Sequence, residues 1–100
     1  FGCSGQDGLG AAEAIRDEGG SAKVVTRNCS MEELEEVKSG LLHACFAQFP
    51  RKMGYEGVMD IWNHYQGEDA PGYTDSGSDF VTKDRVQSYI DVGEWMGPPD

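Results

Sequence analysis

Between residues 23 and 65 short apolar runs alternate with amphipathic stretches, and that alternation restricts the fold more than any other feature of the chain. KVVT at 23–26 has adjacent valines and reads as a short buried strand. Ser30 opens the next element. With Glu33 it makes Ser-x-x-Glu, in which each side chain satisfies a free backbone N–H at a helix start. Met31, Leu34 and Val37 recur at three-residue steps and predict an inward stripe with the glutamates between them facing water, and Ser39-Gly40 is the stop. LLHACFAQ then gives a second strand ending at Gln48, where Phe49-Pro50 hands over to a helix, because the missing N–H of a proline costs nothing in a first helical turn. Strands each followed by a helix of this length predict an α/β fold, a three-layer parallel sheet with flanking helices. Within it, 24–25 and 44–47 should pair as neighbouring parallel strands around the helix over 30–39.

The flanks extend the pattern. GLGAAEAIRDE at 8–18 places Leu9, Ala12 and Ile15 on one side of a short helix that Gly19-Gly20 ends. FGC at 1–3 reads as the final part of a strand, so the chain is expected to start inside a domain. From Arg51, the residues Met53, Gly57, Ile61 and Tyr65 repeat every four, and Val58 and Trp62 widen the stripe; Gly54 and Gly57 should allow close packing against a sheet or a neighbouring helix. The breaker-rich stretch over 67–78 should form a connecting loop. A short strand over 79–82, a helix over 83–89 with Val86 and Ile90 turned inward, and an irregular tail over 91–100 complete the reading.

Several function classes fit poorly. Eighteen acidic against eight basic residues give a formal charge of −10 over 100 residues, a poor counterpart for a nucleic-acid backbone. No apolar run reaches the length of a transmembrane helix, and the first residues lack the basic start and apolar core of a signal peptide. The three cysteines, Cys3, Cys29 and Cys45, are odd in number and lack the paired spacing of zinc sites. Cys29 and Cys45 read as small apolar fillers near strands, with one bridge left open. His43 and Cys45 share a strand face, but no Asp or Asn is placed to orient the histidine for catalysis. The glycines of GCSGQDGLG match neither phosphate-binding pattern.

Parallel strands bring the turns at their carboxyl ends to one edge, where open α/β sheets bind ligands. That edge collects Ser4 from the first turn, Arg27 and Asn28 from the second, and Gln48 from the third. Their hydroxyl and amide groups both donate and accept hydrogen bonds, which suits a polyhydroxylated small molecule. Taken singly, Asn28 can serve an Asx turn, Arg27 a solvated surface, and Gln48 the turn before Pro50.

VVTRNCSMEELEEVKSGLLHACFAQFPRKMGYEGV resembles the second lobe of the type 1 periplasmic sugar-binding proteins of ABC transporters, near the ribose-binding group. In that family a strand ends at a polar ligand residue, a helix runs to a Lys-Ser-Gly-like stop, and a strand ending in Ala-x-x-Gln-x-Pro precedes a helix with Met-Gly. Asn28, Lys38-Ser39-Gly40 and the run over 44–54 match, and GEDAPGYTDSGSDFVTKDRV resembles the return to a hinge strand. The resemblance implies a partial C-terminal ligand-binding lobe over 1–100, with Asn28 where the family commonly has aspartate and Gln48 where it has glutamine, both facing the cleft. It implies non-catalytic binding of a small sugar or related polyol, no cofactor, and delivery to ABC transporter membrane subunits. The missing first lobe would be a partner, nucleic acid would not, and the location would be periplasmic or extracellular and lipid-anchored. Ser4-Gly5 departs from the family's Asn-Asp turn and points away from ribose itself. Arg27 stands in place of an apolar residue, which makes room for an anionic or differently oriented ligand. The alternatives are the effector domain of a sugar-responsive transcription regulator and a structural α/β fragment without binding of its own.

Overall fold

A computed structural model describes residues 1–93, in the order α1 (Gly5–Asp17), β1 (Val25–Asn28), α2 (Met31–Ser39), β2 (Ala44–Gln48), α3 (Pro50–Tyr65), β3 (Ser78–Thr82) and α4 (Val86–Val92). The strands form one sheet in the order β1-β2-β3. β1 and β2 are parallel, with Val25 opposite Ala44 and Asn28 opposite Ala47, as the alternation predicts. The α/β class with flanking helices stands.

The sheet is mixed rather than wholly parallel, because β3 runs antiparallel to β2, with Ser78 opposite Gln48 and Thr82 opposite Ala44. Connection length explains the reversal. The 16 residues of α3 rise about 24 Å away from the end of β2. A dozen residues over 66–77 reach about 40 Å when extended, enough to come back to the same end of the sheet. Thr74 Oγ1 donates to Asp60 Oδ2 at 2.9 Å and ties this return to the helix. The excursion thus starts and finishes beside Gln48, as in a long hairpin, and no crossover is made.

Helix starts follow local chemistry. Ser4 caps α1 by accepting from the Asp7 N–H at 3.3 Å, so the helix begins at Gly5 rather than at residue 8. Ser30 and Glu33 form the expected capping box, and Gly40, at φ 97°, closes α2 in the left-handed conformation. Glu33, expected to face water, is buried, while Met31, expected inside, is exposed. The capping bond draws the Glu33 carboxylate inward against Gly5, where a Cβ would stand 2.6 Å from Oε2.

One face of the sheet carries Cys45, Ala47 and Val81, and these join Leu9 and Ala12 of α1, Leu34 and Val37 of α2, and Val86 and Tyr89 of α4 in a single core. Ile90 packs at its margin. On the other face Phe46 and Phe80 lie with ring centroids 4.8 Å apart and Phe1 meets Phe46 at 6.4 Å. The apolar stripe of α3, expected to pack, is exposed: Ile61 is 61% and Trp62 58% accessible, and nothing lies within 4 Å of a Cβ at Gly54 or Gly57. The stripe was a correct amphipathic signal for a helix, but α3 buries none of its residues.

Residues 1–3 form no strand, although the Gly2 N–H donates to the Val25 carbonyl at 2.9 Å, beside β1. Asp91 and Val92 close α4, and the rest of the expected irregular tail, from 94 on, lies outside the described residues. Among the described residues no helix is long and apolar enough to cross a membrane.

Candidate polar edge at the strand ends

β1 stops at Asn28 and β2 at Gln48, so parallel pairing sets both at one edge with Gln48 a residue beyond the Asn28–Ala47 pair. Three of the sequence-identified residues are joined there. Arg27 Nη2 donates to Gln48 Oε1 at 3.2 Å, and Gln48 Nε2 donates to Asn28 Oδ1 at 2.5 Å. Ser4 is engaged elsewhere, its hydroxyl capping α1. The chain of bonds runs in one direction. It leaves the Asn28 amide N–H groups, the second Gln48 N–H and further Arg27 N–H groups as donors, and each carboxamide oxygen retains an acceptor lone pair. Such a set can engage neighbouring hydroxyl oxygens of a small polar molecule.

The backbone here is unusual. Asn28 has φ 112° and Cys29 φ 56°, in a region most non-glycine residues avoid. Cys29 is bonded to Cys45 in a disulfide with Cα atoms 5.4 Å apart, and both are fully buried. Sequence reading placed these two cysteines as apolar fillers. They are buried near strands as expected, but as a bridge: the register sets Asn28 opposite Ala47, and the turn that follows, with positive φ at Asn28 and Cys29, brings Cys29 back to the second residue of β2. The usable signal was their position, one just after the first strand and the other within its parallel neighbour. Cys3 is free and exposed.

Beneath this edge, on β3, lies a cluster that sequence reading missed. Asp79, opposite Ala47, receives Arg85 Nη2 at 2.6 Å and Nη1 at 3.0 Å, a bidentate ion pair, and also the Tyr89 hydroxyl. The Arg85 guanidinium, helped by that hydroxyl, holds the Asp79 carboxyl below the usual aspartate range despite its partial burial. Burial pushes the Tyr89 phenol up, and the bond to Asp79 adds to the shift. The cluster ties β3 to α4 and has no nucleophile or metal set. Its signal, an acid six residues before an arginine and ten before a tyrosine, becomes readable only once α4 is folded back on β3.

An open groove of about 1200 Å³ occupies the opposite end of the sheet, lined by Ser21, Lys23, Val24, Leu42, His43 and Lys83 among others. It lies at the amino ends of β1 and β2, away from the convergent amides. Strand carboxyl ends are where open α/β sheets gather ligand groups, which makes the polar edge the candidate. Among the described residues no three His, Cys, Asp or Glu side chains are grouped to hold a metal ion.

No protein-family model and no curated protein matches the chain. Solved structures do. A solute-binding protein of an ABC transporter from Agrobacterium vitis, bound with α-D-tagatopyranose, is 28% identical with a TM-score of 0.77, over 89% of this chain and 31% of that one. A carbohydrate transporter from Acidothermus cellulolyticus 11B, in complex with myo-inositol, is 27% identical at a TM-score of 0.74, over 89% of this chain and 32% of its own. An arabinose-binding protein from Geobacillus stearothermophilus is 26% identical at 0.67, over 81% and 31%. The chain thus spans about a third of the length of each. The mixed three-stranded sheet with its helices matches a lobe of the type 1 periplasmic-binding-protein fold.

Proposed function

We propose that the chain is one lobe of a two-lobed solute-binding protein that holds a small sugar or polyol without catalysis and delivers it to ABC transporter membrane subunits. The carrying observation is the bonded set Arg27, Gln48 and Asn28 at the carboxyl ends of two parallel strands. The likeness to proteins solved with tagatopyranose and myo-inositol supports the ligand class. Asn28 and Gln48 are the principal ligand residues, Arg27 orients Gln48, and Ser4 sets the first turn of the cleft. The other lobe closes over the ligand and removes these amides from water. An extracytoplasmic location, periplasmic or lipid-anchored outside the cell, agrees with the Cys29–Cys45 bridge, since disulfides persist in oxidising compartments.

The experiment is a calorimetric titration of the full-length protein carrying this sequence with D-tagatose, myo-inositol and L-arabinose, repeated for Asn28→Ala and Gln48→Ala. Each substitution removes polar partners from a desolvated ligand, which costs about 1 to 3 kcal/mol, and affinity should fall about ten- to a hundredfold. Binding unchanged in both variants removes the site assignment. No binding of any probe by the wild type removes the ligand class.

A further inference from the structure

Two consecutive non-glycine residues, Asn28 at φ 112° and Cys29 at φ 56°, hold the turn after β1 in conformations that an L side chain disfavours. Glycine would adopt them at no steric cost, so a cysteine here needs something to hold it. The holder is in view. Cys29 is bonded to Cys45, and Cys45 sits on β2, the central strand, paired with Thr26 on one side and Val81 on the other. Both cysteines are fully buried. Asn28 is therefore fixed from two directions, by its ladder position opposite Ala47 and by a neighbour cross-linked to the sheet. The strand that provides the anchor also provides the partner, because Gln48, three residues beyond Cys45, donates to Asn28 Oδ1.

We propose that the Cys29–Cys45 disulfide is a positioning pair for the ligand edge: it fixes the left-handed turn that aims the Asn28 carboxamide at Gln48. This rests on the reading of that edge as the sugar site. Neither sulfur touches ligand. Without the bridge, residue 29 relaxes toward the extended or right-handed region, Asn28 turns with it, and the Asn28–Gln48 bond opens. The identity of residue 29 then decides how much geometry survives, since glycine tolerates positive φ and a β-branched residue does not.

The test uses the full-length protein carrying this sequence, with Cys45→Ala combined in turn with Cys29→Gly, Cys29→Ser and Cys29→Val. Urea unfolding reads stability, titration with D-tagatose and myo-inositol reads affinity, and ¹⁵N NMR of the ligand-free protein reads the Gln48 side-chain amide. All three variants lose the cross-link. The glycine variant should keep affinity within about threefold of wild type, while serine loses about tenfold and valine more. The Gln48 amide signals should stay in place with glycine and move with valine. Affinity that drops equally in all three, or in none, overturns the proposal, as does a Gln48 signal indifferent to residue 29. Wild type that binds neither probe, with Gln48 signals that follow residue 29 as stated, overturns the sugar reading and leaves the positioning role supported.

Discussion

Gly8 lies where α1 crosses β1, and a Cβ built on it would stand 1.9 Å from Thr26 Cγ2 and 3.0 Å from Thr26 Cβ. Carbon atoms prefer about 3.5 to 4.0 Å, so Gly8→Ala must push α1 off the strand by about 1.5 to 2 Å. Thr26 cannot swing aside, because it is fully buried, β-branched and paired with Cys45. Alanine gains about 1 kcal/mol of helix propensity over glycine, whereas overpacking of this depth costs about 3 kcal/mol or more. The expected net loss is about 2 to 3 kcal/mol. Gly10, two residues on with nothing within 4 Å of its Cβ, supplies the opposite sign: Gly10→Ala should stabilise by up to about 1 kcal/mol. Thr26→Ser removes the methyl group that collides. In the double variant with Gly8→Ala most of the loss should return, a coupling of about 2 kcal/mol. Urea unfolding at constant slope measures wild type and the four variants. Gly8→Ala as stable as wild type, or double-variant losses that simply add, would refute the close approach of α1 to β1.

Other perturbations have distinct readouts. Alkylation of the unfolded, unreduced chain should label Cys3 alone, and reduction should expose Cys29 and Cys45 and lower stability by about 3 kcal/mol for a loop of this length; three labels before reduction would contradict the bridge. Tyr89→Phe leaves Asp79 without the phenol and should cost about 1 kcal/mol in urea, and ultraviolet titration of wild type should place the Tyr89 phenolate above the ordinary phenol range. Because the folded Asp79 carboxyl lies below its ordinary value of 3.8, its contribution is whole above 3.8 and is lost as pH falls through the lower folded value. Wild type should therefore lose more stability than Asp79→Asn on acidification below 3.8, by a modest margin since Arg85 is partly exposed and screened; identical acid limbs would contradict the pairing.

The β1-α2-β2 unit was readable in the sequence because its signals are local: adjacent valines, the Ser30–Glu33 box, the Gly40 stop and the Phe49-Pro50 handover. Parallel pairing followed from a nine-residue helix between two short strands, and with it the adjacency of Asn28 and Gln48. The direction of β3 was not readable, since SDFVT carries the same apolar pattern either way and its orientation depends on how far the connection over 66–77 reaches back. Glu33 looked like a solvated glutamate because its spacing says only which helical face it occupies. Burial came from Gly5, twenty-eight positions earlier, leaving room for a carboxylate. The bridge stayed only an open option for a similar reason: a sixteen-residue separation has no meaning until the chain turns back after Asn28 and sets Cys29 beside Cys45. The α3 stripe shows the converse, a true local signal whose packing is decided by the path of the chain after Pro50.

The proposed ligand site lies at the strand carboxyl ends, not in the groove at their amino ends. Titration of the ¹⁵N-labelled full-length protein with D-tagatose and with myo-inositol, followed by NMR, tests it residue by residue. The side-chain amide signals of Asn28 and Gln48 and the backbone signals of 27–29 should move together as ligand is added, while those of Leu42, His43 and Lys83 stay in place. Shifts confined to Leu42, His43, Lys83 and their neighbours would contradict it and move the site to the other end of the sheet.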